Sequence, residues 1–368
     1  MSKYKTMPMT WSQVHKACHH ANISLRSGVW VTENGQLWSH WRASNDLEHI
    51  GITKGGHGRN RLANKLKLLR MLPRVKMSIV DKRCSEVPGP RRFSADTVVL
   101  PSDGGLIFFD EERGGLVRYY GFGKITPHQE AQRRVWAEFV NAPDFGVSGD
   151  RRFIEEQMVN GKHICDLNYF DLIPVLNNIQ TDYTALACHL KVKDPSVSIA
   201  IDLNEALGRD FLASVEDDFF ISFFDELLNI RNIISTIYVP TGSDNSPNNV
   251  VITESSYQFI DTFPILQKAV FSHPLGVIAA WSVHNNDVLM GFINGRFDEF
   301  FVPLLEVSGL NMCLTKRRRF AILLLAIALP GKTTGIRSNP GPELAKTPVE
   351  MFNWLSRAYK LHELRAVF

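Results

Sequence analysis

A polar segment in the second half of the chain carries the side chains best suited to chemistry. It runs from Thr241 to Ile252 in the order TGSDNSPNNVVI, and the later stretch YQFID ends at Asp261. Asp244, Asn249 and Asp261 offer carboxylate and amide oxygens, which are hard ligands of the kind that Mg²⁺ prefers. A set of oxygen ligands of this kind could hold a divalent cation. Asp, Asn, Ser and Pro also favour turns for local reasons, so the loop alone leaves an ordinary polar turn open.

The spacing of these residues resembles that of protein-kinase-like phosphotransferases, especially aminoglycoside phosphotransferases and bacterial lipopolysaccharide core kinases. These families carry a loop of the form HGDxxxxN, followed by a short hairpin that ends in two apolar residues and an aspartate. Here Asp244 and Asn249 have the loop spacing. Asp261 comes twelve residues after Asn249 and directly follows the apolar pair Phe259 and Ile260. The resemblance implies that Asp244 orients or deprotonates an acceptor hydroxyl, and that Asn249 and Asp261 bind Mg²⁺.

The same resemblance extends upstream and implies that the cofactor is ATP. Gly104 and Gly105 would form the turn that covers the phosphates, because glycine lets the backbone approach phosphate oxygens closely. Arg118 stands at the place of the family's strand lysine, and Glu130, in the helix that follows, would be its acidic partner.

The segment from Arg152 to Gly161 resembles the hinge between the two lobes of these enzymes. The backbone groups of Gln157 and Val159 would meet the adenine, and ATP would lie between the lobes. The loop sequence Ser-Pro-Asn-Asn looks closer to small-molecule and sugar kinases than to protein kinases. We therefore expect the acceptor to be a hydroxyl of a sugar or a glycolipid.

Two positions depart from the family pattern. Arg118 replaces the usual lysine, and its wide planar guanidinium does not copy a compact ammonium group. Gly242 and Ser243 replace the His-Gly that precedes the aspartate. The alternative is therefore an inactive pseudokinase, a nucleotide-sensing scaffold whose basic N-terminal module binds nucleic acid or a protein partner.

Around the loop the sequence predicts an α+β protein with a bilobal protein-kinase-like fold. Short apolar runs separated by Gly-rich turns predict an antiparallel meander, and helical patterns dominate after Gly161. Strands are predicted at 97–100, 106–109, 116–120 and 152–158, and helices at 129–140 and 211–237. The boundaries predicted are a β-rich N-lobe at 89–160 and a helical C-lobe at 161–368.

Residues 1–88 are predicted to form a separate basic α/β module. They contain a helical pattern at 10–20, two short strands within 28–38 around the turn signal Asn34-Gly35, and a helix at 61–71. Residues 1–85 hold 15 Lys and Arg against 4 Asp and Glu, although the whole chain carries only +3. Such an excess suits nucleic acid, an anionic membrane surface or an acidic partner.

Composition sets outer bounds on the protein. With 368 residues and 44% hydrophobic side chains, the chain can form more than one substantial core. The longest apolar run, at 320–329, is too short to span a bilayer and is interpreted as a buried helix. The five cysteines form no CxxC pair, so we expect a cytoplasmic protein, with peripheral membrane attachment left open. The basic run at 316–319 is interpreted as a solvated helix start, or else as a holder of an acidic acceptor.

Overall fold

We analysed a computed structural model of the chain. It describes, in the first third of the chain, residues 9–10, 23–24, 28–33, 36–41, 78–82, 91–92, 98–102, 105–110 and 115–120. From there on it describes residues 124–207, 215, 218–230, 233–242, 246–254, 256–260, 262–263, 265–283, 285–329, 332–333 and 364–368. By their internal contacts the residues divide into two compact units, 1–126 with 144–158 and 336–344, and 127–143 with 159–335 and 345–368.

The first unit is built on an antiparallel sheet. Its strands are β1 (Met9–Thr10), β3 (Gly28–Glu33), β4 (Gln36–Trp41), β5 (Ser78–Lys82), β7 (Val98–Ser102), β8 (Gly105–Asp110), β9 (Gly115–Tyr120), β10 (Phe145–Val147) and β11 (Phe153–Gln157). Their order in the sheet is β10-β11-β9-β8-β7-β4-β3-β5, with β1 beside β4. Two further short strands, β2 (Ile23–Ser24) and β6 (Arg91–Arg92), pair in parallel. The antiparallel meander predicted from the glycine-rich turns is confirmed.

Tight hairpins set the register of this sheet. Ser102 pairs with Gly105, so β7 and β8 are joined by two residues, Asp103 and Gly104. This length and sequence are typical of a primed hairpin turn, which matches the twist of the strands. On the sheet surface Tyr119 pairs with Phe153, and the ring centroids are 5.0 Å apart.

Strands on both sides of the predicted boundary at residue 88 belong to this one sheet. The predicted hairpin around Asn34-Gly35 is confirmed, since β3 and β4 pair antiparallel. Strand β4 joins β7 through the pairing of His40 with Val99. The helices predicted at 10–20 and 61–71 lie outside the described residues, apart from Thr10, which is in β1. The separate module at 1–88 stays a prediction.

The second unit is mainly helical. Its helices are α1 (Pro127–Ala137), α2 (Tyr169–Lys193), α3 (Leu203–Leu207), α4 (Asp218–Ile230), α5 (Ser272–Ser282), α6 (Asn286–Ile293), α7 (Asp298–Val307) and α8 (Lys316–Ala328). Its strands are β12 (Lys162–His163), β13 (Ser198–Asp202), β14 (Ile233–Gly242), β15 (Val250–Ile252), β16 (Tyr257–Phe259), β17 (Ile265–Ala269) and β18 (Lys332–Thr333). They form two small sheets, β12-β15-β16 and β13-β14-β17-β18. The predicted sequence of a β-rich part followed by a helical part is confirmed.

Local chemistry explains why these helices form. Helix α2 begins after Asn168, whose side chain accepts a hydrogen bond from the Asp171 amide at 3.0 Å. Helix α8 begins after Thr315, whose side chain accepts a hydrogen bond from the Arg318 amide. The apolar residues of α8 are buried, as predicted for the run at 320–329. None of the described helices is long and apolar enough to cross a membrane.

The helix predicted over 211–237 is wrong at its C-terminal end, from Ile233 to Ile237. Helix α4 ends at Ile230, and strand β14 occupies Ile233–Gly242. Ile233, Ile234, Thr236 and Ile237 are β-branched, and such side chains lose rotamer freedom in a helix but fit a sheet well. The strand is buried along its whole length from Thr236 to Gly242, so its apolar run lacks the alternation that usually identifies a strand.

Gly161 lies where a side chain has no room, and this supports a first prediction. A Cβ atom at this position would overlap the carbonyl oxygen of Ile252 and approach Val251 Cγ1 to 2.7 Å. We expect Gly161→Ala to lower the free energy of unfolding by about 1–3 kcal/mol, because backbone atoms must shift. Gly149→Ala is the matched control, since nothing lies within 4 Å of its added Cβ. Urea denaturation of both variants measures the difference, and equal losses would contradict the prediction.

Candidate active site

Strand β14 leads the chain into the candidate catalytic loop. It ends at Gly242, which pairs with Ile265 of β17, and the strand is buried up to this point. Asp244, the predicted catalytic residue, lies outside the described residues together with its two neighbours. The described residues that flank it are Gly242 and Ser246. The strand therefore anchors the chain two residues before Asp244.

Asn249, the first predicted metal ligand, ends a single 3₁₀ turn at Pro247–Asn249. The Ser246 side chain accepts a hydrogen bond from the Asn248 amide at 3.4 Å, and the Ser246 carbonyl accepts one from the Asn249 amide at 2.9 Å. Ser-Pro at the start of a turn is favourable, because serine caps free amides and proline fixes the first backbone angle. The turn therefore gives Asn249 a defined backbone position.

A short hairpin places Asn249 next to the residue that precedes Asp261. Strands β15 and β16 pair Val250 with Phe259. The Ile260 amide then donates a hydrogen bond to the Asn249 carbonyl at 2.8 Å, which extends the pairing beyond the strands. Asp261, the second predicted metal ligand, lies outside the described residues and follows Ile260 in the chain. The predicted hairpin that leads to this aspartate is confirmed by the pairing.

The two ends of this segment also meet. A Cβ atom on Gly242 would lie 3.5 Å from both Cα and the carbonyl oxygen of Thr262. Gly242 is two residues before Asp244, and Thr262 is the residue after Asp261. The structure thus brings together the described neighbours of all three predicted residues.

A segment near the start of the second unit supports the loop from outside. His163 Nδ1 donates a hydrogen bond to the Asn248 carbonyl at 2.7 Å, so this nitrogen carries the proton. The Cys165 thiol donates to Asn248 Oδ1 at 3.3 Å. Both carbonyl oxygens of Asn248 are therefore held, which fixes the turn immediately before Asn249.

A buried polar cluster lies beneath the loop, and the sequence did not point to it. The Tyr183 hydroxyl bonds His273 Nδ1 at 2.6 Å and Thr241 Oγ1 at 2.9 Å. All three residues are at most 2% exposed. Burial holds the pKa of the Tyr183 hydroxyl far above its ordinary value, so the hydroxyl stays protonated. The cluster ties α2 and α5 to Thr241, three residues before Asp244.

Rings from α1 and the hairpin enclose this cluster. The imidazole of His273 lies 4.9 Å from the Phe259 ring and 6.4 Å from Trp136 between ring centroids. The only sequence signal for these residues is that Tyr183 and His273 interrupt apolar helical runs. Polar side chains in such runs are more often exposed or singly bonded, so this signal did not identify a network.

The predicted phosphate-binding residues fall in the first unit, except Glu130. Gly105 begins β8 at the β7–β8 hairpin, and Gly104 lies outside the described residues. Arg118 is 7% exposed and pairs with Ile107 and Ile154 in the middle of the sheet. Its guanidinium is thus carried by a central strand, as predicted for the family's cation.

Glu130 lies in α1, in the second unit. Its carboxylate accepts hydrogen bonds from Arg134 at 2.7 and 3.3 Å, one turn later in the same helix. Such i, i+4 pairs stabilise helices modestly. The pairing of Glu130 with Arg118 stays a prediction.

The two predicted adenine contacts lie on either side of the division between the units. Gln157 is the last residue of β11, and its amide donates a hydrogen bond to the Asp144 carbonyl at 3.3 Å. The segment 144–158 of the first unit ends at Met158, and the second unit resumes at Val159. The contact of their backbone groups with adenine stays a prediction.

Asp182 supports the far side of the hairpin through hydrogen bonds to its carboxylate. Its carboxylate accepts hydrogen bonds from the Tyr257 hydroxyl and from Asn141 Nδ2. Burial raises the pKa of Asp182 above its ordinary value, although the bond from Tyr257 opposes this shift. The folded state therefore binds the proton more tightly than the unfolded state does.

This pKa shift predicts a pH dependence of stability. As pH rises from the unfolded pKa through the folded one, the folded state loses a proton that it holds more tightly, and stability falls. We expect Asp182→Asn to abolish this fall, since the amide cannot ionise but still accepts the Tyr257 bond. Urea unfolding of both proteins between about pH 4 and pH 7 measures the difference. Parallel pH curves would contradict the prediction.

The basic run Lys316–Arg319 has internal partners. Arg317 and Arg318 pair with Glu226 of α4 at 3.0 and 3.5 Å. Arg319 makes a two-pronged ion pair with Asp298 of α7 at 2.9 and 2.7 Å. The three arginines therefore join α8 to neighbouring helices, which differs from the solvated helix start that the sequence suggested.

Neither the protein-family models nor the sequences of curated proteins give a match to this chain. Among solved structures it is similar to a choline/ethanolamine kinase family protein from Mesorhizobium loti, with 12% identity over 64% of this chain and 78% of that chain, at a TM-score of 0.40. A macrolide 2′-phosphotransferase of type I shares 14% identity over 73% of this chain and 91% of that chain, also at 0.40. An aminoglycoside phosphotransferase from Streptomyces rimosus, in complex with ADP and streptomycin, shares 11% over 60% and 89%, at 0.31. These three structures are named as kinases or phosphotransferases.

Proposed function

We propose that this protein is an ATP- and Mg²⁺-dependent phosphotransferase that phosphorylates a hydroxyl group of a small acceptor. One observation carries the proposal. Asp244, Asn249 and Asp261 are spread over eighteen positions of the sequence, yet their described neighbours meet in two close backbone contacts. These are the bond between Ile260 and Asn249 and the approach of Gly242 to Thr262.

The residues at this point fit a magnesium site in their chemistry. The Asn249 amide and the Asp261 carboxylate supply hard oxygen atoms, and one or two such ligands suffice when substrate phosphates complete the shell. Bound Mg²⁺ would neutralise the charge of the phosphates. Among the described residues no group of three or more His, Cys, Asp or Glu forms another candidate metal site.

The chain's own residues would divide the work as follows. Asp244 would orient the acceptor hydroxyl and take its proton as the oxygen bonds to the γ-phosphorus, while the bond from that phosphorus to the β–γ bridging oxygen breaks and ADP leaves. Asn249 and Asp261 hold the metal ion, and the buried strand β14 and the bonded turn at Asn249 keep these groups in position. Positioning of this kind accounts for most of the catalysis in phosphoryl transfer.

Nucleotide binding is assigned to the residues that precede the loop. The hairpin turn at Gly104 and Gly105 would cover the phosphates, and Arg118 would contact them, with Glu130 as its acidic partner. Backbone groups of Gln157 and Val159 would meet the adenine. Support comes from the order of these elements along the chain, and from the buried position of Arg118 in the centre of its sheet.

The acceptor is proposed to be a sugar or a glycolipid. The argument rests on the sequence Ser246-Pro-Asn-Asn, which resembles loops of sugar and small-molecule kinases rather than those with an arginine before the aspartate. The basic residues within 1–88 would suit an anionic membrane surface, where a glycolipid acceptor resides. Nucleic acid would suit the same charge.

The direct test is transfer of γ-phosphate from labelled ATP to a panel of hydroxyl-bearing compounds, with sugars first, in the presence and absence of Mg²⁺. Magnesium-dependent labelling of an acceptor is the expected result. Binding of ATP is measured separately by calorimetry. Binding without transfer or hydrolysis would overturn the enzymatic proposal in favour of a nucleotide-sensing pseudokinase.

A further inference from the structure

A buried arginine of helix α1 contacts the chain directly after Asp261. Arg133 is fully buried, and its Nε donates a hydrogen bond to Thr262 Oγ1 at 2.7 Å. Its Nη2 donates to the Pro143 carbonyl at 3.1 Å. Burying a guanidinium is costly unless its N–H groups are hydrogen-bonded. The bonds to Thr262 and Pro143 therefore stabilise the buried position of Arg133.

Helix α1 contacts the hairpin on both sides of Asp261. Gln129, Arg133 and Trp136 form its buried face, at the spacing expected of one helix side. Before Asp261, the Trp136 ring lies 5.8 Å from the Phe259 ring. After Asp261, Arg133 bonds Thr262.

The segment that follows α1 adds a third connection. The Asn141 carbonyl accepts a hydrogen bond from the Phe259 amide at 2.9 Å, and Pro143 is bonded by Arg133 as above. Helix α1, the segment that follows it and the strand before Asp261 are therefore joined by these contacts into one body. Thr262, which is 2% exposed, is attached to this body through its side-chain hydroxyl.

We infer that Arg133 and Thr262 are positioning residues, which orient Asp261 for the binding of Mg²⁺. The inference rests on the proposed function, because it takes Asp261 as a metal ligand. Residues that orient a ligand from behind typically change metal affinity by about 10- to 100-fold when they are replaced. The Arg133–Thr262 bond thus makes metal affinity depend on helix α1.

Thr262→Val and Thr262→Ser provide a matched test. Valine keeps the shape of threonine but removes the hydroxyl, whereas serine keeps the hydroxyl. The measurement is calorimetric affinity for the non-hydrolysable analogue AMP-PNP over a series of Mg²⁺ concentrations, which needs no turnover. Mg²⁺ should increase the affinity for AMP-PNP, and the quantity compared is the Mg²⁺ concentration that gives half of this increase. We expect Thr262→Val to raise that concentration by about 10- to 100-fold. Thr262→Ser is expected to stay within about 3-fold of the wild type, since the Arg133 bond remains.

A second variant keeps the proposal testable through the other partner. Arg133→Lys keeps the charge but loses the planar fork that reaches both Thr262 and Pro143, so we expect a shift in the same direction. Adding Thr262→Val to it should cause little further change, because both replacements remove one interaction. Affinity for AMP-PNP in EDTA should be unchanged throughout.

The possible results separate this inference from the proposed function. If Mg²⁺ raises the AMP-PNP affinity of the wild type and of Thr262→Val equally, the inference alone is overturned. Thr262 would then be a merely structural residue. An equal shift in Thr262→Val and Thr262→Ser would overturn it too, because the hydroxyl would then be irrelevant. A wild-type affinity that does not respond to Mg²⁺ would overturn the proposed function and this inference together.

Discussion

Replacing Asp244 by alanine is expected to lower kcat for phosphoryl transfer by about 10²- to 10⁴-fold, the range that a positioned general base contributes. Binding of ATP with Mg²⁺ should change little, because the proposed metal ligands are Asn249 and Asp261. Asp261→Ala, in contrast, should weaken the response of nucleotide binding to Mg²⁺. Steady-state kinetics together with calorimetry separate the two effects.

The matched control for Asp244→Ala is Glu254→Ala. Glu254 is an exposed carboxylate at the far end of the same hairpin, between β15 and β16. Its removal changes the charge by the same amount without touching the proposed site, so kcat should stay near the wild-type value. An Asp244→Ala variant with unaltered kcat would refute its assignment as the catalytic residue.

The local parts of the site were predictable because they are encoded in short stretches. The turn before Asn249 follows from Ser246 and Pro247. The strands β7 to β9 follow from glycine-rich turns between β-type runs. In each case the residues that decide the structure lie within about ten positions of one another, so propensity and spacing suffice.

Other parts depend on contacts between distant positions. Thr262 is 129 positions from Arg133, and Tyr183 is 90 positions from His273. An arginine with polar neighbours in a helix usually marks a solvent face, and only the tertiary structure shows that Arg133 is buried. Strand β14 was mistaken for helix for a related reason, since its burial on both faces removes the alternation that identifies a strand.

The strongest structural effect is expected from the cluster beneath the loop. His273→Ala should lower the free energy of unfolding by about 2–5 kcal/mol, because it leaves a buried cavity and removes a partner of the Tyr183 hydroxyl. Tyr183→Phe keeps the ring but leaves Thr241 and His273 without that hydroxyl, so a loss of about 1–3 kcal/mol is expected. Chemical denaturation monitored by tryptophan fluorescence measures both, since Trp136 lies beside His273.

An exposed histidine provides the control for this prediction. His128 lies on the solvent side of α1 and, among the described residues, bonds only Gln132, which is half-buried, so His128→Ala should change stability little. The double variant of Tyr183 and His273 should lose less than the sum of the single losses, because the two side chains share one bond. Additive losses would mean that the bond contributes nothing and that packing alone makes these residues necessary. A shared loss, in contrast, would show that β14 is fixed at Thr241 by the hydrogen-bonded chain, three residues before Asp244.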